Sequence, residues 1–356
     1  PEILITNNNL PVGEIRYSNE QIKEKLGIPA SKVISRTALL GMLAVKEAII
    51  DSQIDVSSNK TGLISSTSVG GMDLTEIFFK DYIKDNTKGD IRQVLMHDCA
   101  ASTKAICNYC NINGYSTTIS TACSSSANAI IKGYNLLKHG VLDAVIVGGC
   151  DALSAFTLNG FKSLMILDKE LCKPFDERRA GLNLGEGAGY IVLQREEDCN
   201  KKYCRLSGFA NTNDAFHQTA SSENGEGAYL AMNKALSMAG LYPESIDYIN
   251  AHGTGTPNND LTESIAISRI FNQNMPLICS TKSYTGHTLA ASGGIEAVFS
   301  ILSIKEGFVP ESLNFAVPMH NGVIPNTTLH RQEINTVLSN SFGFGGNCST
   351  LIFSKQ

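Results

Sequence analysis

The chain has 356 residues, of which 42% are hydrophobic and 18% are charged, and its formal net charge is −5. A chain of this length and composition buries a large core and has room for two domains. The acidic balance, with no run of lysine and arginine, argues against nucleic acid as the main partner. No apolar stretch approaches the roughly 18 uncharged residues of a membrane span, and the N-terminus shows no signal-peptide pattern. We therefore expect a cytoplasmic protein with no membrane span.

Ten cysteines are spread through this long, glycine-rich chain. Their dispersal favours reduced thiols over a disulfide framework. Cys107 and Cys110 form a CxxC pair, but no second pair at zinc-finger spacing completes it. A metal or redox role for that pair is therefore disfavoured.

The predicted elements alternate between strands and helices along the whole chain. In the first part we expect a strand at 2–6, an irregular polar segment at 7–26, a helix at 35–51 and strands at 61–66, 144–149 and 189–194. After it we expect strands at 203–209, 246–250, 277–280, 337–342 and 350–353 and helices at 227–239, 262–271 and 290–307. A charged, turn-rich segment at 195–202 is the predicted boundary between two halves, residues 1–200 and 201–356. The alternation predicts a layered α/β protein.

Residues 118–140 (TISTACSSSANAIIKGYNLLKHG) combine a strand-like start, a turn of small residues and an amphipathic helix. Apolar residues recur at helical spacing from Ala127 to Leu137, and Gly140 is placed to end the helix. Cys123 therefore lies at a strand-to-helix turn, where a helix N-terminus favours the nucleophilic thiolate over the thiol. A buried structural cysteine is the alternative for this residue.

Three further loops have an unusual composition: NAHGTGTP at 250–257, TKSYTGH at 281–287 and SFGFGGN at 341–347. The ends of strands are where α/β proteins gather ligand sites, and glycine lets a chain-like ligand approach the backbone. His252 and His287, each in a loop that follows a predicted strand, fit one catalytic centre with Cys123. Zinc binding by the same three side chains is the alternative, which the lack of a fourth ligand disfavours.

Together these stretches resemble the β-ketoacyl–acyl carrier protein synthases of the elongating type, the condensing enzymes with a Cys–His–His centre. The matching pieces are TACSSS around Cys123, NAHGTGTP around His252, STKSYTGHTLAASGGIEA around His287, PFDERRAGLNLGEGAG and NSFGFGGN. They follow the family's order over residues 36–354. The resemblance implies the thiolase fold, in which two similar βαβαβαββ halves form a five-layer α-β-α-β-α sandwich that is normally dimeric.

The resemblance implies a decarboxylative condensation in fatty-acid or related polyene or polyketide synthesis. Cys123 would hold the acyl group covalently, which splits one difficult step into two. His252 and His287 would promote loss of carbon dioxide from a malonyl thioester and stabilise the enolate. No cofactor is implied, because the substrates are carried on the phosphopantetheine of an acyl carrier protein. The implied partners are that carrier protein and a second subunit, either an identical chain or a synthase-like one.

Supporting roles follow from the resemblance, residue by residue. Lys282 and Glu296 match a pair that keeps the charge of the site in order. The backbone N–H groups of Cys123 and Phe344 match the oxyanion hole, and Phe344 also matches the gate of the acyl pocket. The matches to substrate-binding positions are Thr254 and Thr256 for the phosphopantetheine arm, Phe175 for the acyl pocket and Arg179 for carrier-protein docking.

The sequence departs from the family pattern in three places. The first residues, EILITNNNL, lack the glycine-rich turn that usually follows the first strand. The basic segment before the first long helix is reduced to Lys32 and Arg36, and residues 179–182 read RAGL where the family has RDGF. A dedicated polyene or polyketide pathway therefore stays open beside primary fatty-acid synthesis.

Two other functions within the same fold are the alternatives. A non-catalytic chain-length-factor subunit lacks the nucleophile, so the presence of Cys123 together with both histidines and Lys282 argues against it. A CoA-dependent thiolase carries a second catalytic cysteine in a Cys-x-Gly loop. Cys348 is followed by Ser-Thr instead, which favours a structural role for it.

Overall fold

The computed structural model describes residues 10–199, 201–272 and 274–356, so the strand predicted at 2–6 lies outside the described residues. Helices in the first half are α1 (Asn19–Leu26), α2 (Arg36–Ser52), α3 (Met72–Lys84), α4 (Ile91–Val94), α5 (Cys99–Cys110), α6 (Ser125–Lys138) and α7 (Ala155–Ser163). Its strands are β1 (Thr61–Ser66), β2 (Ser116–Ile119), β3 (Ala144–Asp151) and β4 (Gly187–Gln194).

The second half continues the alternation. Its helices are α8 (Glu226–Ala239), α9 (Pro257–Phe271), α10 (Lys282–Thr285) and α11 (Ser292–Glu306), with a short 3₁₀ turn at Leu289–Ala291. Its strands are β5 (Arg205–Asn213), β6 (Tyr248–Asn250), β7 (Leu277–Cys279), β8 (Phe308–Val309), β9 (His330–Arg331), β10 (Thr336–Gly343) and β11 (Asn347–Ser354).

The two main sheets repeat one arrangement. The first has the order β2-β1-β3-β4, and the second has the order β5-β11-β10-β6-β7. In the first sheet, β2, β1 and β3 are parallel neighbours, and β4 pairs with β3 in the antiparallel direction. In the second sheet, β7, β6 and β10 are parallel neighbours, and β11 pairs with β10 in the antiparallel direction. The two halves of the chain are therefore similar in strand order and direction.

Helices cover and separate the sheets in five layers. α2 and α5 pack on the first sheet, α8 packs on the second with α9 beside it, and α6 and α11 lie between, in contact with strands of both. β3 is buried along its whole length, as expected for a strand with helices on both faces. Gly133 lets α6 approach β3, because a Cβ there would lie 2.5 Å from Val147. The predicted α-β-α-β-α sandwich is confirmed.

The prediction of an irregular segment over 7–26 is wrong for α1. Ser18 and Gln21 form a capping box, Gly27 ends the helix in the left-handed conformation, and Ile22 and Leu26 are buried. Those signals are present in the sequence, but two apolar anchors in a polar eight-residue stretch give only a weak periodic pattern.

Arg36 does not belong to an exposed basic segment. Its guanidinium is buried and donates to both carboxylate oxygens of Glu186, to the carbonyls of Ile15 and Tyr17 and to Asn19. It therefore ties the N-terminal segment to the start of β4. Within the described ranges, every helix is too short or too polar to cross a lipid bilayer.

Candidate active site

The fold brings Cys123, His252 and His287 together. Cys123 lies on the turn between β2 and α6, His252 follows β6, and His287 follows α10. All three side chains are buried, and the sulfur and one ring nitrogen of each histidine lie within 4.8 Å of one another. The two imidazole rings are 5.4 Å apart between centroids and nearly perpendicular. One half of the chain thus supplies the thiol, and the other half supplies both histidines.

The turn that carries Cys123 has a constrained backbone. Ala122 adopts a φ of 53°, a left-handed conformation that is uncommon outside glycine, and Ser124 is the N-cap of α6. The end of β10 packs closely here, because a Cβ on Gly343 would lie 3.2 Å from the Cys123 nitrogen. The backbone N–H groups of Phe344 and of Cys123 itself act on the sulfur and lower the pKa of the thiol. Two amide donors therefore flank the thiol.

Cys123 is held as a thiol at neutral pH. Burial raises the pKa of its side chain to about 11, although the positive charge of Lys282 and the Phe344 amide act in the opposite direction. The prediction that the helix N-terminus favours the thiolate is therefore wrong. Removing the thiol from water outweighs the partial charge of the helix end.

His252 is fixed in one tautomer by a lysine. The Lys282 ammonium lies 3.3 Å from the Nδ1 atom of His252 and forms a buried ion pair with Glu296. An ammonium group only donates hydrogen bonds, so Nδ1 accepts and the proton of the neutral ring is on Nε2. The pair is therefore part of the site and not a surface ion pair.

His287 has the same tautomer for a different reason. The backbone N–H of Leu289 donates to its Nδ1 at 3.1 Å, and Leu289 adopts a left-handed φ of 52°. The main chain of His287 is held as well, by the carbonyl of Asn183 at 2.7 Å and the N–H of Gly185 at 2.9 Å. Its Nε2 atom therefore carries the ring proton.

Both imidazoles are neutral donors. Burial lowers the pKa of His252 and of His287 well below the usual 6.5, and the charge of Lys282 adds to the effect at both rings. The site therefore offers two Nε2–H groups and two backbone N–H groups within a few ångströms of a thiol. That donor set suits a substrate oxygen on which negative charge develops.

Glu263 is a supporting residue that the sequence analysis missed. Its buried carboxylate accepts the N–H groups of His252 and Gly253 at 2.8 Å each and the side-chain amide of Asn340 at 3.1 Å. Burial raises the pKa of Glu263 to about 7. Its position in the first half of a helix that directly follows the His252 loop was the only available signal.

A cavity of about 290 Å³ leads to the three side chains. Its polar end is formed by exposed or half-buried residues of 217–221 and 256–259. Thr254 and Thr256 line it, and their hydroxyls are 2.9 Å apart. Its apolar wall consists of Phe161, Leu164, Ile166, Leu182 and Phe344. The rings of Phe161 and Phe344 stack with centroids 6.2 Å apart.

Family models cover most of the chain. The Beta-ketoacyl synthase N-terminal domain matches residues 18–199, and the Beta-ketoacyl synthase C-terminal domain matches residues 203–316. The 3-oxoacyl-[acyl-carrier-protein] synthase 2 of Staphylococcus aureus (strain COL) is 33% identical, over 96% of this chain and 87% of its own. The chain belongs to the β-ketoacyl synthase family.

Solved structures of ketosynthases have the same fold. A chain from the structure of the ketosynthase ApeO in complex with its chain length factor ApeC, from Xenorhabdus doucetiae, is 33% identical with a TM-score of 0.81 over 98% of this chain and 87% of that one. The ishigamide ketosynthase/chain length factor is 27% identical with a TM-score of 0.86 over 91% and 83%. The predicted family, the thiolase fold and the prediction of a β-ketoacyl synthase are confirmed.

Two residues that the resemblance placed at the substrate lie outside the cavity lining of this β-ketoacyl synthase. Phe175 is buried in the hydrophobic core of the second half, and its N–H donates to the buried Asp260 at 2.7 Å. The guanidinium of Arg179 donates to the carbonyls of Asp176 and Pro257. It therefore braces the loop around the cavity mouth, and carrier-protein docking through it stays a prediction.

Zinc remains the geometric alternative for the Cys–His–His set of this family member. The three ligand atoms are close enough to share one ion. The Lys282 ammonium, however, occupies the position beside His252 Nδ1 and brings a positive charge next to the set. A divalent cation would be repelled at that distance, so the arrangement suits acyl chemistry better.

Proposed function

We propose that this chain condenses an acyl group held on Cys123 with malonyl–acyl carrier protein, giving a β-ketoacyl–acyl carrier protein and carbon dioxide. The observation that carries the proposal is the meeting of one thiol, two neutral imidazoles and two amide donors at the end of one cavity. A thiol beside fixed oxyanion donors is suited to acyl transfer, and paired imidazole N–H groups are suited to an enolate.

In the first half-reaction the sulfur of Cys123 attacks the thioester carbonyl of an acyl–carrier protein. The amides of Cys123 and Phe344 stabilise the oxyanion, the carrier thiolate leaves, and it takes the proton that the cysteine loses. Forming a thiolate in this buried site is unfavourable, and the charge of Lys282 reduces the cost. The acyl chain then lies along the wall that contains Phe161 and Leu182.

In the second half-reaction a malonyl thioester occupies the polar end. Its carboxylate leaves as carbon dioxide, and the electron pair of the broken C–C bond moves into an enolate. The Nε2–H groups of His252 and His287 donate to the enolate oxygen. The enolate carbon attacks the acyl carbonyl, the bond between that carbonyl and the Cys123 sulfur breaks, and the released thiolate takes up a proton from solvent water. Neutral imidazoles suit this step because each ring already carries the Nε2 proton with which it forms the hydrogen bond.

The polar end of the cavity fits the arm of a carrier protein. Thr254 and Thr256 present adjacent hydroxyls there, and the loop of 217–221 and the start of α9 at 256–259 bring this end to the protein surface. These groups suit the amides of a phosphopantetheine chain, which would deliver the thioester to Cys123. The proposal needs no resident cofactor.

A second ketosynthase-fold chain is the proposed subunit partner. α3, α4 and α7 contact one another as α3·α4 and α3·α7 pairs. They and the segments after them expose large apolar side chains, namely Phe79, Ile83, Ile91, Leu95, Phe156 and Met165. Leu164 is both exposed and part of the cavity wall, so a partner on this face would close the apolar end. A similar structure is a complex of the ketosynthase ApeO with its chain length factor, so an identical chain and a synthase-like chain are the two candidate partners.

Intact-protein mass measurement tests the proposal. We expect wild-type protein mixed with a panel of acyl–acyl carrier proteins to gain the mass of one acyl group, and Cys123→Ala to gain none. Cys107→Ala is the matched control, because it removes a buried thiol from α5, and it should be acylated like wild type. In the second arm, wild type should convert malonyl–acyl carrier protein to the acetyl form, and His252→Ala and His287→Ala should slow this by about 100-fold or more.

An adduct on Cys123→Ala would contradict the assignment of the nucleophile. No adduct with any carrier-protein donor would favour the non-catalytic subunit, and acylation by acyl-CoA alone would favour a thiolase-type enzyme. The acyl chain that reacts fastest would also distinguish a primary from a specialised pathway.

A further inference from the structure

The peptide groups on the two sides of Ala290 are held by buried side chains from the other half of the chain. The Ala290 N–H donates to the Asp151 carboxylate at 2.8 Å. The Ala290 carbonyl accepts a hydrogen bond from the Ser126 hydroxyl and a longer one from Ser66 at 3.4 Å. We call Asp151, Ser126 and Ser66 the Ala290 clamp.

Asp151 has donors on both carboxylate oxygens. Besides Ala290 it accepts the Thr67 hydroxyl and the Ser68 N–H, and its side chain is fully buried at the end of β3. Every one of these partners is a donor, so the residue must supply acceptor atoms on both sides. An asparagine would turn an NH₂ group toward one of them.

The clamp is built into a space that a larger residue would fill. The hydroxyls of Ser66 and Ser126 are 2.9 Å apart, and a Cβ on Gly149 would lie 2.1 Å from the first and 2.4 Å from the second. β1, β3 and α6 thus meet around these hydroxyls. Two buried hydroxyls, those of Ser66 and Ser126, therefore lie between strands and a helix that otherwise pack through apolar side chains.

The Ala290 clamp lies between the segments that carry Cys123 and His287. Ser126 lies on α6 three residues after Cys123. Ala290 directly follows Leu289, whose N–H sets the tautomer and orientation of His287. The clamp therefore joins the helix of the thiol to the loop of the histidine, across the boundary between the two halves.

We propose that Asp151 and Ser126 are positioning residues that hold the Leu289 N–H on His287 and so set the aim of the His287 donor in decarboxylation. This inference rests on the proposed function of Cys123 and His287. Acylation of Cys123 uses the amides of Cys123 and Phe344, which the clamp does not contact. Loosening the clamp therefore slows the half-reaction that needs His287 and spares the one that does not.

Three variants and two half-reaction assays test the clamp. We expect Asp151→Asn and Ser126→Ala to slow decarboxylation of malonyl–acyl carrier protein by about ten- to hundredfold, the size of effect that small misplacements of catalytic groups cause. Both should acylate Cys123 within about threefold of wild type. Replacing Ser66 as well as Ser126 by alanine should enlarge the effect.

Matched controls separate positioning from lost stability. Asp73 resembles Asp151 in that burial raises the pKa of each carboxyl to about 6. Asp73→Asn removes a carboxylate that accepts the backbone N–H of Arg36 instead of that of Ala290. Ser102→Ala removes a buried hydroxyl that bonds a carbonyl of its own helix. Both controls should keep the wild-type ratio of the two half-reactions. The ¹⁵N shifts of the His287 ring report on the Nδ1 hydrogen bond, and they should change only in the clamp variants.

Proportional loss of both half-reactions in the clamp variants, or loss of neither, would overturn the proposal. If Asp151→Asn does not fold, which a thermal unfolding scan shows, the serine variants decide. Failure of the proposed function itself gives a different result, because wild type would then show no acylation or no decarboxylation.

Discussion

His252 and His287 reach the same chemical state by different structural means. Both rings are neutral and carry their proton on Nε2. At His252 a side chain sets the tautomer, the ammonium of Lys282 at 3.3 Å. At His287 the main chain does so, through the N–H of Leu289 at 3.1 Å. One donor thus depends on a charge, and the other depends on backbone conformation.

The carboxylates behind the two loops show the same contrast. Glu263 accepts the His252 N–H from a helix that begins a few residues later in the same half. Asp151 accepts the Ala290 N–H across 139 residues of sequence, from the other half. The support of His252 is therefore local, whereas that of His287 exists only when the two halves are packed together. Damage to that packing should affect His287 first.

Lys282→Met should have the largest effect, and it should disturb His252 much more than His287. It removes the donor to His252 Nδ1 and leaves the buried Glu296 without its partner, so we expect stability to fall by about 3–5 kcal/mol. In ¹⁵N NMR spectra, His252 should redistribute between tautomers while His287 keeps its Nδ1 hydrogen bond. Decarboxylation should fall by about tenfold or more, since the His252 donor is present only part of the time.

The double variant Lys282→Met/Glu296→Gln is the control for the unpaired charge. It should recover much of the stability without restoring the His252 tautomer or the rate. A change in the His287 resonances as large as that of His252 would show that the two rings do not have independent supports.

Glu263→Gln should give a smaller and more local effect. The carboxylate accepts two main-chain N–H groups and one amide, and glutamine offers a single acceptor oxygen, so one N–H loses its partner at a cost of about 1–3 kcal/mol. We expect slower decarboxylation with the His287 resonances unchanged, measured beside thermal unfolding. Glu226→Gln is the control and should change neither, because Glu226 is only partly buried in the first turn of α8 and its ion pair with Arg269 is near the surface. An effect on His287 equal to that of Asp151→Asn would contradict local support.

The sequence predicted the fold well because the fold depends on repeated local patterns. Continuous apolar runs such as 144–149 predicted buried strands, and the start of α9 differs by five residues because Pro257 opens the helix earlier than its apolar pattern does. The structure brings residues of the three glycine-containing loops and Cys123 together around one cavity, as the sequence analysis expected of a shared site.

What the sequence could not predict depends on burial and on distant contacts. The pKa of Cys123 is raised by desolvation, which no local pattern encodes. Asp151 is an ordinary residue at the end of a strand until the fold places Ala290 beside it. Arg179 is a similar case, since the resemblance that matched it to docking gave no sign that its guanidinium donates to two main-chain carbonyls.

The smallest expected effect concerns His252 and His287, whose rings should not titrate near their usual pKa of 6.5 in the folded chain. Both histidines have a pKa well below 6.5 in the folded chain because of burial and Lys282. Their NMR resonances should therefore stay constant as the pH falls through 6.5, whereas the urea-unfolded chain should titrate there. An inflection near 6.5 on either folded ring would contradict neutrality by burial.

The same two histidines make stability depend on pH. The unfolded chain binds protons below 6.5 that the folded chain does not, so each histidine lowers stability by about 1.4 kcal/mol per pH unit below 6.5, until its own folded pKa is reached. Asp151 and Glu263 act in the opposite direction, because their pKa values are raised to about 6 and about 7, and protonation of these two groups below those values favours the folded chain. The histidine contribution is therefore measured as the difference between wild type and His287→Asn. Since asparagine does not titrate, the variant should lose stability less steeply than wild type as the pH falls from 6.5.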